Sequence, residues 1–131
     1  MRKIIFCLMA IAIAATSCGK FEEVDFGYPE SVTLSSEGGE KIITSDEPFR
    51  FAVIQNYKTG DESAIIGTED ERYREDVEQR ELEWLRIEYG SSRNNKELKI
   101  FAKPNTSGKP RTLHLELYLA YKYQVVKVTQ N

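Results

Sequence analysis

Four leucines spaced two apart, Leu113, Leu115, Leu117 and Leu119, constrain this chain more than any other feature. A helix would scatter that spacing around its circumference, whereas a strand puts every second side chain on one face. Thr112, His114, Glu116 and Tyr118 then take the opposite face. Ala120-Tyr121-Lys122 turns the chain, and Tyr123 to Thr129 alternates again with Val126 and Val128 inward. Shorter runs upstream are expected as strands over 32–34, 41–45, 49–57, 83–89 and 97–102. Turn residues separate them at Ser36-Glu37-Gly38-Gly39, at Asp46-Glu47-Pro48 and across 103–110. Alternation within 49–57 assigns Phe49, Phe51 and Val53 to one face. About seven short strands in this order predict an all-β, two-sheet sandwich.

Residues 58–82 are too long for an ordinary β connection. Ile65-Ile66 suits a short strand. Thr68 to Glu71 has capping-box spacing, and Tyr73 and Val77 lie four apart, so a charged helix over 69–80 is expected, with a polar loop as the alternative. Arg72, Arg74 and Arg80 neutralise the acidic residues of 61–83, which favours a salt-bridged face over a calcium site. An insertion on a rigid sandwich is a candidate surface for a partner protein.

The N-terminus specifies a destination. Met1-Arg2-Lys3 is a positive start, residues 4–15 form an apolar run too short to span a bilayer, and Ala15-Thr16-Ser17-Cys18 follows. That ending resembles a bacterial lipobox, with Ala15 where leucine is usual. It predicts a lipoprotein signal at 1–17, a lipidated tether at 18–30 anchored in membrane through Cys18, and one domain at 31–131. Lys20, Glu22, Glu23 and Asp25 behind the cysteine resemble an export signal to the outer cell face, with a solvated, charged tether as the alternative; an exported outer-membrane lipoprotein is the expected location, and exposure at the cell surface stays open. Cys7 leaves with the signal and Cys18 carries lipid, so the domain has no disulfide and depends on hydrophobic burial. Without Arg2 and Lys3, 16 basic residues face 21 acidic ones, a net of −5. Nucleic acid is therefore not an expected partner.

Enzymatic chemistry finds little support in these residues; spacing leaves paired carboxylates of a small glycoside hydrolase open, but a sandwich this small offers little room for a cleft. His114 is the sole histidine, it lies on the solvent side of its strand, and no nucleophile elbow or free thiol accompanies it. One histidine without cysteine does not build a zinc site, and no cofactor is implied. Aromatic rings supply the binding candidates, because their faces stack on the apolar faces of sugars while polar neighbours take the hydroxyls. Parity turns His114, Tyr118 and Tyr123 outward, sets Tyr121 in the connecting turn, and leaves Phe101 exposed if Leu98 and Ile100 face inward. The structural alternative is that these tyrosines serve as strand formers and cross-strand pairs.

Trp84-Leu85-Arg86-Ile87, Leu98-Lys99-Ile100, Asn105, Arg111 and the closing Val126-Lys127-Val128-Thr129-Gln130 resemble, in order and spacing, the BACON domain, a Bacteroidetes-associated carbohydrate-binding family. Val32-Thr33-Leu34 and Gly38-Gly39 fit its opening more loosely, and the insertion and Phe51 in place of tryptophan depart from it. The resemblance implies an immunoglobulin-like sandwich and a polysaccharide or glycan as ligand, in a non-enzymatic envelope lipoprotein. A spacer or protein-interaction module acting through 58–82 is the alternative. That fold also implies a core position for Trp84, whereas parity opposite to Leu85 and Ile87 points it outward; both stay open.

Overall fold

The leucine alternation produces a nine-residue strand, Arg111–Leu119, whose inward Leu113, Leu115 and Leu117 are buried. The computed structural model describes residues 21–131, so the expected signal segment and Cys18 lie outside the described residues. Ten strands follow one another: β1 (Glu22–Glu23), β2 (Ser31–Leu34), β3 (Gly39–Thr44), β4 (Phe51–Gln55), β5 (Ala64–Ile65), β6 (Val77–Leu82), β7 (Leu85–Gly90), β8 (Glu97–Ala102), β9 (Arg111–Leu119) and β10 (Lys122–Gln130). They form two five-stranded sheets. In the first, β4, β9 and β10 are antiparallel neighbours, and β1 and β2 both pair in parallel with β10, at its start and at its end. The second runs β3-β8-β7-β6-β5, antiparallel throughout.

The core between the sheets is aliphatic. Ala52, Ile54, the three leucines, Val126 and Val128 face Ile43, Leu85, Ile87, Leu98 and Ile100. One end is closed by Phe26, Tyr28, Phe49 and Tyr89, with Phe49 packed edge-on to both tyrosines at 6.0 and 5.2 Å. Lys41 stands opposite Ile100 on the edge strand β3, so a charge points along the inner face where another chain would have to pair, which discourages edge-to-edge association.

Four expectations are corrected. The sandwich has ten strands rather than about seven. The tether expected over 18–30 is, in its described part, folded: β1 pairs with β10, and Phe26 and Tyr28 are buried because Gln124 gives their backbone a partner. In β4 the core residues are Ala52 and Ile54, while Phe51 and Val53 point to the outer face; Phe49 is buried ahead of the strand, just after Pro48. The helix expected over 69–80 is absent, and no helix occurs among the described residues. Val77–Leu82 instead pairs along its whole length with β7, and Thr68–Glu71 lies in a turn closed by Asp70 N–H to Gly67 O at 3.0 Å. Local capping loses to six paired residues of sheet.

Two tight hairpins place a non-glycine residue in the left-handed region, Glu83 at φ 54° and Ala120 at φ 55°. That conformation costs about 1–2 kcal/mol for an L-residue, while glycine adds about 0.5–1 kcal/mol of unfolded-state entropy. Ala120→Gly is therefore expected to stabilise the fold by about 0.5 kcal/mol, read as a higher urea midpoint. A lower midpoint would show that the Ala120 methyl packs usefully.

Candidate aromatic binding face

Register assembles a patch on the outer face of the first sheet. Phe51, Tyr118 and Tyr123 are directly opposite one another on β4, β9 and β10; Val53, Glu116 and Val125 form the next row; Gln55, His114 and Lys127 form the third. Phe51 stacks on Tyr118 at 4.8 Å and 11°, and Tyr118 on Tyr123 at 5.6 Å and 27°. These separations are close to the ~4.8 Å between strands. The rings therefore stand edge-up from the sheet with their faces turned to one another. Phe21, preceding β1, meets Tyr118 edge-on at 5.6 Å. Tyr57 reaches back from beyond β4 and stacks on His114 at 4.3 Å.

Glu116 organises the centre. Its side chain accepts hydrogen bonds from the Tyr57 hydroxyl at 2.6 Å and the Tyr118 hydroxyl at 2.7 Å, and the residue is only 6% exposed although it faces away from the core. A carboxylate so covered needs such donors. The two phenols lean together over Glu116 and join the two ring stacks into one surface. Phe51, on the strand that ends the sheet, is 39% exposed, and Tyr57 is 42% exposed. Beside them Gln55 Nε2 donates to Glu62 Oε1 at 2.6 Å. The patch thus offers two partly open rings with amide and carboxylate groups on the same face.

Burial and the hydrogen bond to Glu116 both push the Tyr57 and Tyr118 phenols above their ordinary value, burial being the larger cause. Burial likewise pushes Tyr28 up to about 12 and raises Tyr89. Each phenol holds its proton more tightly in the folded state than at the unfolded value of about 10. Their contribution is whole below that pH and is lost as pH rises above it. Denaturant stability should therefore be flat with respect to these groups at neutral pH and fall from about pH 10 upward. All seven tyrosines ionising together near pH 10 in a still-folded chain would contradict this.

Of the residues expected to bind, the structure brings His114, Tyr118 and Tyr123 together. Tyr121 projects from the β9–β10 turn and is 68% exposed. Phe101 lies elsewhere, on the outer face of the second sheet, half-buried beneath the Arg86 guanidinium at 4.0 Å. That face is covered by the insertion. Arg72 pairs with Asp70 and Glu81 at 2.9 and 3.2 Å, Arg74 and Arg86 both pair with Glu88, and Gln79 Nε2 donates to Arg72 O at 2.6 Å. The salt-bridged face expected from the sequence is present. Among the described residues no group of three or more His, Cys, Asp or Glu is placed to hold a metal ion.

Sequence reasoning missed Phe21, Tyr57 and the central role of Glu116, and it put Phe51 on one face with Phe49, which is buried in the core. Glu116 shares the parity of His114 and Tyr118, a usable signal. Tyr57, at the end of the stretch expected as a strand over 49–57, shares the parity of Phe51, whereas Phe21 lies outside every expected strand.

Trp84, Asn105, Arg111 and Gln130, among the residues quoted for the BACON resemblance, lie at the opposite end of the sandwich. Arg111 lies over the Trp84 ring at 4.7 Å and donates from Nε to Gln130 Oε1 at 2.8 Å and from Nη2 to Lys103 O at 3.1 Å. Gln130 Nε2 donates to Lys103 O and Ser35 O, and Asn105 Nδ2 to Lys109 O. Trp84 is buried there, in the turn before β7. Gly38, at φ 86°, passes so close that a Cβ would lie 2.6 Å from Ala102 O. These contacts clasp strand ends together.

No family model matches the chain, and no curated protein does. Among solved structures it is similar to the NMR structure of a protein from Bacteroides thetaiotaomicron, with 15% identity and a TM-score of 0.47 over 88% of this chain and 92% of that one.

Proposed function

We propose that the chain is an exported, non-enzymatic lipoprotein, held in the outer membrane through Cys18, whose sandwich binds glycan on the aromatic face around Glu116. One observation carries this reading: Phe51 and Tyr57 expose ring surface on the face that also carries the polar Gln55–Glu62 pair, and buried Glu116 holds Tyr57 and Tyr118 in place. Sugars are bound by such pre-set rings with a few fixed hydrogen-bonding groups, and rigidity lowers the entropy lost on binding. The BACON resemblance points to the same ligand class, although its motif residues Trp84, Asn105, Arg111 and Gln130 lie at the other end of the molecule.

The test is retention of the soluble chain, freed of residues 1–18, on a panel of insoluble polysaccharides. Phe51→Ala and Tyr57→Ala are each expected to weaken retention about tenfold, equivalent to about 1.4 kcal/mol. Phe101→Ala should leave it unchanged. Blank retention across the panel, or variants that bind as the parent does, would overturn the reading. A protein contact through the insertion is then favoured by Ile65, which is 58% exposed at the sheet edge. In that case Ile65→Ser would release a partner that Phe51→Ala keeps.

A further inference from the structure

Phe21, at 63% exposure, and Tyr121, at 68%, are the two most exposed large hydrophobic residues described. Phe21 packs edge-on against Tyr118 and leads into β1, which starts beside the β9–β10 turn that carries Tyr121. Glu22 lies opposite Lys122, and Glu22 N–H donates to Tyr121 O at 2.7 Å. We propose that this end rests on the membrane surface, with both rings entering the boundary between lipid headgroups and acyl chains, an inference that rests on the reading of Cys18 as lipid-bearing. The occupant of this small apolar surface is a bilayer because of where the chain leads. Only Gly19 and Lys20 separate Cys18 from Phe21. Three residue steps reach at most about 11 Å, so a lipid on Cys18 keeps Phe21 close to the headgroups.

Phe21 is not carried on a loose arm. Val24 N–H donates to Tyr123 O at 2.8 Å, and Gln124 binds the backbone of Phe26 and Tyr28. The anchor therefore leaves from a fixed point of the sheet. Tyr121 combines an apolar ring with a polar hydroxyl, the combination that favours membrane interfaces. Exposed Lys122 stands opposite exposed Glu22 at this end. One lipidated residue and two interfacial rings give two points of attachment, enough to fix an orientation. The nine residues of β10 then rise about 27 Å from the membrane. The clasp at Trp84, Arg111 and Gln130 is distal, and the aromatic face stands at the side, open to a chain of sugar approaching along the surface.

The experiment uses the lipid-bearing protein in phosphatidylcholine vesicles made with or without brominated acyl chains, which quench nearby tryptophan. The parent's single tryptophan, Trp84, should be unaffected. Tyr121→Trp and, as an independent variant, Phe21→Trp should each add emission that the brominated lipid lowers roughly twofold, as expected for a ring buried ~5–10 Å. Mass measurement of Cys18 is made on the same sample. Lipid present but emission equal in both vesicles would overturn the membrane contact alone. Cys18 without lipid would overturn the anchor reading and this inference together.

Discussion

Gln124→Leu is expected to destabilise the fold by about 3–5 kcal/mol, a large share of a small domain's total stability of about 5–15 kcal/mol. Gln124 lies on the inner face of β10 and acts as a strand partner for a segment that has none. Its Oε1 accepts from Phe26 N–H at 2.8 Å and Tyr28 N–H at 3.4 Å, and its Nε2 donates to Tyr28 O at 2.9 Å. Leucine matches the volume but leaves buried backbone donors and an acceptor without partners, at about 1–3 kcal/mol each. Gln124→Glu separates shape from hydrogen bonding. Its second oxygen would face the Tyr28 carbonyl, acceptor against acceptor, unless protonated. That variant should be weak at neutral pH and recover as pH falls through the carboxyl range, because the folded state would hold the proton more tightly. A Gln124→Leu chain with an unchanged urea midpoint would show that the 21–28 segment contributes nothing to stability.

Glu116→Ala is expected to cost about 2 kcal/mol and to abolish retention on any polysaccharide the parent binds. The lost stability is moderate because removing a covered carboxylate also removes its desolvation penalty. The functional loss is larger, since Tyr57 loses its hydrogen bond to Glu116 and its ring is held less firmly on the face. Glu116→Gln keeps one acceptor and should retain part of both. Glu116→Ala binding as the parent does would mean that the phenol–carboxylate cluster is structural only.

What the sequence made legible followed from regular alternation. Leu113 to Leu119 could only be a strand with one buried face, and the same rule turned His114, Tyr118 and Tyr123 outward together. It failed at β4, where both faces are apolar: Phe51 and Val53 lie beneath and among outer rings while Ala52 and Ile54 fill the core. It failed again at 69–80, where a local helix signal competed with long-range pairing to β7 that no local pattern reveals. Phe26 and Tyr28 were hidden in a charged stretch that read as tether, although aromatic residues there were themselves a sign of burial. Gln124 and Gln130 share the parity of Val126 and Val128, so their inward direction was legible; that each would carry three hydrogen bonds was not, because, apart from Arg111 on β9, their partners lie in segments distant in sequence.

The central claim is that ligand meets the outer face of the first sheet and not the salt-bridged face of the second. Amide chemical-shift mapping tests it most directly, using an oligosaccharide cut from the polysaccharide that retains the chain. Shifts are predicted to cluster at Phe51–Tyr57, His114–Tyr118 and Tyr123–Lys127. Shifts confined to Asp70–Arg74, Glu81–Arg86 and Phe101–Lys103, or none at millimolar oligosaccharide, would contradict it.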